Sequence, residues 1–277
     1  FVELIDNFKT NIYTRTAFVN GDHRYFRVNP ALGFVRELSD SSSMLFNYRE
    51  ANRAPSPVEL ACADPAAPCR LPNAFVADPP LEQVITRAVE TGLRGSTDSN
   101  QFNINWSTIG YYTRNYEDII FVSSGTGLSS GFFKNFGETQ RFGFDLSLNA
   151  YNTKEVSYIK SFSLNYSFME ASFQSSHTLP AANHPNSSND VEAGDIIPGM
   201  PKHKINANIT YSFLNDLNIT AGLVGATGVF LRGDESNQLK KTSSYAVLNL
   251  QSDYSPKKSI NFFARIENIL NSDYETC

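Results

Sequence analysis

The sequence predicts an all-β protein built from antiparallel strands, and three observations support this fold class. Apolar and polar residues alternate over long stretches, most clearly at 141–150 and 161–168, as they do where successive side chains point to opposite faces of a strand. Turn-forming residues separate these stretches. There is no helical stretch of note, nor an apolar run of the roughly 20 residues that a membrane-spanning helix needs.

Taken in order, the alternation predicts about ten strands. The second is interrupted by Pro30, which cannot donate to a strand ladder and therefore implies a bulge or gap. The strand predicted at 217–231 follows a tight turn and contains Gly222, Gly225 and Gly228, and the last predicted strand ends at Leu270. The predicted strands are 12–19, 24–38, 44–53, 84–95, 102–121, 141–150, 161–168, 205–213, 217–231, 246–253 and 260–270, the first of which is ambiguous.

The connections between these strands alternate in length. Short turns are predicted at 39–42, 96–100, 152–155, 214–216 and 255–258, and long loops at about 54–83, 118–135, 175–198 and 233–241. Because successive connections of an antiparallel sheet lie at alternate ends, all the short turns should lie at one end and all the long loops at the other.

Two architectures produce this alternation: a soluble β-sandwich and a transmembrane β-barrel. Three features favour the barrel. The strands are longer than the five or six residues usual in sandwiches. The polar face carries Asn, Ser, Thr and Gln rather than Lys and Glu. The long and short loops segregate by end.

A barrel has an apolar outer face and a polar interior, so the alternation also predicts an orientation for individual residues. The predicted water-facing residues are Asn165, Asn206, Asn208, Asn249 and Gln251. The predicted lipid-facing residues are Phe142, Phe144, Leu164, Tyr166, Ile209 and Leu248. Ten strands of a larger barrel would form an open curved sheet with two unpaired edges.

Composition excludes some classes of function. The formal net charge is -5 and no basic block occurs, so nucleic acid is not an expected partner. We find no catalytic constellation, no phosphate-binding glycine loop and no metal signature, and we predict neither an enzyme nor a cofactor.

Three cysteines are present, and two of them, Cys62 and Cys69, lie close together in a loop rich in Pro and Ala. Zinc would need two further ligands, and none stand near. A disulfide between them is the candidate pairing, and it suits an oxidising compartment such as a periplasm or cell surface.

Charged residues where strands meet long loops are candidate ligand contacts, although paired or solvated loop charges are the commoner explanation. The candidates are Arg53, Asp64, Arg70, Arg232 and Asp234.

Four stretches resemble the TonB-dependent outer-membrane receptors, in the order in which that family has them. Residues 48–60 contain Arg-Ala-Pro followed by Glu-Leu, residues 81–92 end in Glu-Thr-Gly, residues 135–146 contain Glu-Thr-Gln-Arg-Phe-Gly, and residues 268–274 read Asn-Ile-Leu-Asn-Ser-Asp-Tyr. None of these is specific alone, but their order indicates a resemblance that covers about residues 24–277.

The resemblance implies the C-terminal part of a 22-stranded barrel, without the family's plug domain, TonB box or final strand. We therefore expect an interior fragment of a longer exported protein, since the chain does not begin with Met and no signal peptide is recognisable. The implied function is uptake of a scarce ligand (siderophore, haem, cobalamin or glycan) across the outer membrane of a Gram-negative bacterium. The implied partners are outer-membrane lipid, the TonB complex and a small-molecule or oligosaccharide ligand.

Two alternatives remain at the level of sequence. The same alternation would occur in a passive outer-membrane channel or adhesin barrel, which would conduct ions without energy input. It would also occur in a secreted soluble β-sandwich binding protein, which would be extracted in buffer without detergent.

Overall fold

The computed structural model describes residues 4–11, 20–64, 69–70, 81–123, 130–154, 158–180, 188–214 and 216–275. All of their regular elements except one short helix are β-strands. The elements are β1 (Leu4–Asn11), β2 (Asn20–Arg27), β3 (Ala31–Ser39), β4 (Ser42–Arg53), α1 (Pro57–Ala61), β5 (Cys69–Arg70), β6 (Val84–Asp98), β7 (Phe102–Tyr116), β8 (Ile119–Ser123), β9 (Ser130–Asn135), β10 (Thr139–Asn152), β11 (Ile159–Phe173), β12 (His177–Pro180), β13 (Ser188–Val191), β14 (His203–Leu214), β15 (Leu217–Ala226), β16 (Tyr245–Lys257) and β17 (Ile260–Ile266).

Ten of these strands form one continuous sheet in the order β3-β4-β6-β7-β10-β11-β14-β15-β16-β17. Every pair within it is antiparallel. Within the described part of the chain, β3 and β17 each pair on one side only, so the sheet is open. The predicted all-β class, an incomplete antiparallel barrel of about ten strands, is confirmed.

The predicted gap at Pro30 separates two strands. β2 ends at Arg27 and β3 begins at Ala31, and the carbonyl of Pro30 still accepts a hydrogen bond from the amide of Glu50 at 2.8 Å. β2 pairs with β1 in a hairpin of its own. The strand predicted at 12–19 lies outside the described residues.

The structure differs from the predicted elements mainly inside the long loops. A short helix, α1, occupies the loop at 54–83, which was expected to lack helix. The loop at 118–135 contains the β8–β9 hairpin, and the loop at 175–198 contains the β12–β13 hairpin. Two strands are shorter than predicted. The strand predicted at 102–121 ends at Tyr116, and the one predicted at 217–231 ends at Ala226.

The register sorts the side chains of the sheet onto two faces. Asn165 on β11 lies opposite Asn206 on β14, and Leu164 lies opposite Ala207. The polar face carries Asn165, Asn206, Asn208, Asn249 and Gln251. The apolar face carries Phe142, Phe144, Leu164, Tyr166, Ile209 and Leu248.

Neither face of the sheet is covered by a second layer of described residues. Phe144 is 41% exposed and Ile209 is 40% exposed, and Asn165 and Asn206 are exposed on the opposite face. Aromatic contacts on the apolar face run along the sheet itself, as between Phe144 and Tyr166, whose ring centroids are 5.7 Å apart. A dry two-layered interior, which a β-sandwich requires, is therefore not formed by these residues.

The four long connections, 54–83, 117–138, 174–202 and 227–244, lie at one end of the sheet, which we call the loop end. The opposite end carries the short connections and is called the turn end. The buried hydrophobic residues lie at the loop end, in two clusters described below. None of the described helices is long and apolar enough to cross a membrane.

Candidate functional site

The loop end is the candidate site because α1, the disulfide, two hairpins and several buried polar contacts lie there. Its first part is α1, which begins with a capping box: the Ser56 hydroxyl accepts the Glu59 amide at 3.3 Å, and the Glu59 carboxylate accepts the Ser56 amide at 2.7 Å. Pro57 occupies the first turn, where its missing N–H costs nothing. These interactions fix where the chain leaves β4.

Arg53, predicted at the rim, pairs with this helix. Its guanidinium donates to both oxygens of Glu59, at 2.6 and 3.0 Å. Burial opposes ionisation of Glu59, but the hydrogen bonds from Arg53 and Ser56 outweigh it and lower the pKa of the carboxyl. The Arg53 side chain remains about half exposed, so it is accessible from solvent as well as paired.

Cys62 and Cys69 form a disulfide that closes the turn after α1. Both cysteines also contact β9: the Cys62 carbonyl accepts the Phe133 amide at 2.6 Å, and Cys69 pairs with Gly131. A first hydrophobic cluster lies beneath this crossing, formed by Leu60, Ala63, Leu81, Val84 and Ile119. The disulfide therefore fixes α1 to the neighbouring hairpin.

Gly131 allows this close approach of β5, β8 and β9. A Cβ atom at this position would lie 2.3 Å from the carbonyl oxygen of Val122 and 2.5 Å from the ring of Phe121. Because any larger residue would displace the backbone of β8, glycine is required here.

Asp118 joins the β8–β9 hairpin to the sheet. Its buried carboxylate accepts hydrogen bonds from Thr139 at 2.6 Å, from Asn115 at 3.2 Å and from Arg141 at 3.2 Å. Asn115 in turn accepts the hydroxyl of Thr86 at 2.9 Å. A buried carboxylate is tolerated only when it is paired and hydrogen-bonded in this way, so the cluster fixes the base of the hairpin.

A second hydrophobic cluster lies between the β8–β9 and β12–β13 hairpins. It consists of Val122, Phe132, Phe136, Ala171, Phe173, Leu179, Val191 and Ile197. Phe136 and Phe173 are fully buried, with ring centroids 4.6 Å apart. This packing gives the loops at this end of the sheet a hydrophobic core of their own.

His177 covers one side of this cluster. Its ring lies 4.3 Å from that of Phe136, and Nε2 is 2.8 Å from the Phe136 carbonyl, to which it donates. Burial, and then the charge of Lys134, lower the pKa of His177, which favours the neutral ring. The Lys134 ammonium lies 3.4 Å from Nδ1, the acceptor atom of that ring when Nε2 carries the hydrogen. The histidine is thus a structural member of the cluster.

Two sequence-distant loops are joined by a buried amide–carboxylate contact. Asn189, which is 1% exposed, donates to Glu235 at 2.5 Å and accepts the amide of Ser236 at 2.8 Å. Glu235 also accepts the amide of Gly233 at 2.9 Å. Burial is the main cause that raises the pKa of Glu235, and the adjacent charge of Asp234 adds to it.

The other predicted contact residues are distributed differently. Arg232 is exposed and Asp64 is half-buried, whereas the side chain of Arg70 lies outside the described residues. Asp234 is 1% exposed, and its two carboxylate oxygens accept the amides of Gln238 and Leu239 at 2.8 and 3.0 Å. Burial places these oxygens out of reach of a ligand in solution, so Asp234 shapes its loop instead.

Sequence reasoning missed Asp118 and Asn189, and it placed Glu235 in a polar loop without predicting its buried contact. Asn189 and Glu235 lie 46 residues apart in the sequence, and no local pattern links them. Among the described residues there is no group of three or more His, Cys, Asp or Glu side chains that could hold a metal ion.

The architecture defines the class of protein: an antiparallel, incomplete barrel sheet with one polar and one apolar face and packed loops at one end. A model of the TonB dependent receptor-like β-barrel family matches residues 4–269. The chain belongs to this family.

Solved structures share the fold at low sequence identity. They include the siderophore receptor PiuA from Acinetobacter baumannii (18% identity, 95% of this chain and 34% of that chain, TM-score 0.67) and the copper transporter OprC (15%, 95% and 37%, TM-score 0.65). A third is the ferric yersiniabactin uptake receptor FyuA from Yersinia pestis (15%, 92% and 34%, TM-score 0.64). The chain spans little more than a third of the length of these proteins. No curated protein sequence matches it.

Proposed function

We propose that this chain is part of the barrel of an outer-membrane receptor that takes up a scarce ligand with energy supplied through the TonB complex. In this arrangement the apolar face meets lipid, the polar face encloses water, and the loops at 54–83, 118–135, 175–198 and 233–241 face the outside of the cell. The observation that carries the proposal is the exposure of both faces of a ten-stranded sheet, since backbone groups can cross lipid only in a helix or a closed barrel.

The dimensions of the apolar face support a membrane position. On β7 the side chains of this face carry no charge from the turn end up to Tyr112; they are Phe102, Ile104, Trp106, Thr108, Gly110 and Tyr112. That stretch is about 34 Å long, which a tilt of about 40° projects to about 25 Å, the height of the apolar band of outer-membrane barrels.

Aromatic residues border this band at both ends. Near the turn end, Tyr158 stacks on Tyr211 with ring centroids 5.7 Å apart. Near the loop end, Phe168 contacts His203 at 5.3 Å. Aromatic girdles at the two interfaces are typical of this class of barrel.

The polar face supports an aqueous interior. Its amides and hydroxyls bond to one another along the sheet, as in the contacts of Ser147 with Asn165 at 2.9 Å and of Asn208 with Asn206 at 2.9 Å. These groups keep further donors and acceptors available to water, because an amide has more hydrogen-bonding capacity than one such contact uses. We therefore propose that Asn165, Asn206, Asn208, Asn249 and Gln251 face water.

The packing of the loop end favours a receptor that binds its ligand over a channel through which solutes diffuse. Loops that carry their own hydrophobic clusters and a disulfide present a defined surface. The three similar structures are described as a siderophore receptor, a ferric yersiniabactin uptake receptor and a copper transporter. Among the ligand classes that the sequence suggests, we therefore favour a siderophore or another metal complex, with Arg53 and Arg232 as two of the exposed cations at the loop end that could contact it.

Cysteine scanning of the full-length protein in intact outer membranes tests the orientation. Asn165→Cys and Asn206→Cys should react with a membrane-impermeant thiol reagent, and Phe144→Cys and Ile209→Cys should not. Equal labelling of the two sets would reject the barrel. Uptake of a labelled ferric siderophore tests the function: it should stop when the proton-motive force is collapsed, whereas uptake that continues would point to a passive channel.

A further inference from the structure

An unusual pair of arginines lies on the apolar face at the loop end. Arg87 on β6 is directly opposite Arg114 on β7. Both lie one step beyond the level of Tyr112 on the same face, where the uncharged band described above ends. Two like charges in directly opposed positions of an antiparallel pair destabilise the sheet, so the pairing calls for a compensating interaction.

Each of the two arginines pairs with a carboxylate, and in both cases that carboxylate lies on the side away from the other arginine. The Arg87 Nε atom lies 3.1 Å from Glu50, which also pairs with Arg27. Arg114 Nε donates to Glu138 at 2.8 Å. Among the described ion pairs, none places a carboxylate between the two guanidinium groups, and the side chains of Arg87 and Arg114 remain 49% and 40% exposed.

One aromatic ring holds both guanidinium groups in place. The guanidinium carbon of Arg87 lies 5.0 Å from the ring centroid of Tyr116, and that of Arg114 lies 5.8 Å from it. The Tyr116 hydroxyl also accepts a long contact from Arg87 at 3.5 Å. Cation–π contact favours both cations at this ring, which fixes two planar donors side by side on an outward surface.

Two adjacent guanidinium groups match the geometry of a phosphate, which they bind through paired N–H donors. Their level on the sheet, just beyond the aromatic border, is where a lipid headgroup lies. We propose that Arg87 and Arg114 together bind the phosphate of an anionic lipid headgroup in the leaflet that the long loops face. The inference rests on the proposed function, because it requires the apolar face to lie in a bilayer.

A lipid is a better match for this site than a soluble anion. The acyl chains of a lipid whose phosphate lies at Arg87 would extend along the uncharged band toward Val89 and Tyr112, which are 37% and 42% exposed. A free phosphate would gain only the headgroup contacts. The site thus combines a charged and an apolar contact on one continuous surface.

Native mass spectrometry of the full-length, detergent-solubilised protein tests this, with phosphatidic acid as the probe and diacylglycerol, which lacks the phosphate, as its comparison. R87Q/R114Q should retain about tenfold less phosphatidic acid than the wild type. R49Q/R94Q is the matched control, since these arginines lie on the polar face of the same sheet, and its binding should be unchanged. R87K/R114K, which keeps the charges but loses the paired donors, should lie between.

Unchanged phosphatidic acid binding by R87Q/R114Q overturns the proposal. So does full displacement by an equal concentration of inorganic phosphate, which would define a soluble-anion site. Insertion of the wild type and of R87Q/R114Q into liposomes distinguishes failure of the receptor proposal from failure of the headgroup site alone. If the wild type does not insert, the receptor proposal and the headgroup site both fail; if both proteins insert and bind lipid equally, only the headgroup site fails.

Discussion

Asn189 and Glu235 form a buried contact between the β12–β13 hairpin and the loop that precedes β16. The amide of Asn189 donates to the carboxylate at 2.5 Å, and its oxygen accepts the backbone amide of Ser236. One side chain thus satisfies a carboxylate and a main-chain donor on a neighbouring loop, and the two loops should open together.

The first prediction concerns this contact. Asn189→Ala removes the donor to the Glu235 Oε2 atom and the acceptor of the Ser236 amide, and an unsatisfied buried polar group costs about 2 kcal/mol. Hydrogen exchange of residues 232–239 should accelerate accordingly. Asn165→Ala, which removes an exposed amide of the polar face, should leave that exchange unchanged. Equal protection in both variants would show that Asn189 does not hold the loop.

The second prediction concerns pH. Burial raises the pKa of Glu235 above its ordinary value of 4.5, so the folded loop binds the proton more tightly than the open loop. Its stabilising contribution is complete below 4.5 and is lost as the pH rises through the folded pKa. After correction for intrinsic rates, hydrogen exchange of 232–239 should be slower at about pH 4.5 than at about pH 7.5.

Two controls accompany this pH series. Glu235→Gln should abolish the dependence in that loop. Amides of α1 should show the opposite trend, because Glu59 has a lowered pKa and its pairing with Arg53 is lost as the pH falls. Identical trends in the two segments would contradict the assignment to these carboxyls.

A third prediction follows from the close approach at Gly131. Gly131→Ala places a methyl group 2.3 Å from the Val122 carbonyl, and overpacking of this kind costs about 1–3 kcal/mol. Limited proteolysis of the β8–β9 hairpin should become faster. Gly110→Ala is the matched control, because its Cβ would meet nothing closer than 3.9 Å, and a wild-type cleavage rate is expected there.

The disulfide provides the fourth prediction. Replacing Cys62 and Cys69 by serine removes a cross-link over a short loop, which is worth about 2–3 kcal/mol. Protease cleavage within 54–83 should increase, and treatment of the wild type with a reductant should have the same effect. The loop at 227–244 serves as the internal reference, because it follows β15, which lies six strands away from β4 in the sheet. If both loops become equally labile, the bond acts on the whole protein and not on α1.

The sheet could be predicted from the sequence because alternation is a local signal that repeats along each strand. The residues at 141–150 and 161–168 showed both faces. Pro30 indicated an interruption of the backbone pairing, although the single strand predicted at 24–38 is two strands, β2 and β3, in separate sheets. α1 was readable as well, since Ser56 and Glu59 have the spacing of a capping box, but its five residues were treated as loop.

What the sequence did not reveal depends on contacts between distant segments. The strand predicted at 217–231 ends at Ala226 because the chain then crosses the segment before β16: a Cβ at Gly228 would lie 1.8 Å from the Thr242 carbonyl, and Val229 exchanges hydrogen bonds with Thr242. Asp118 similarly acquires its role only when Thr139 and Arg141 are brought to it by the register of β10.

The two clusters of buried hydrophobic residues both lie at the loop end. The loops and the ten-stranded sheet are therefore stabilised in different ways. The loops are held by contacts that exist in water, whereas the sheet depends on whatever coats its apolar face. Exchanging one detergent for another with a shorter alkyl chain should loosen the strands and leave the loop clusters intact, while a low concentration of urea should do the reverse.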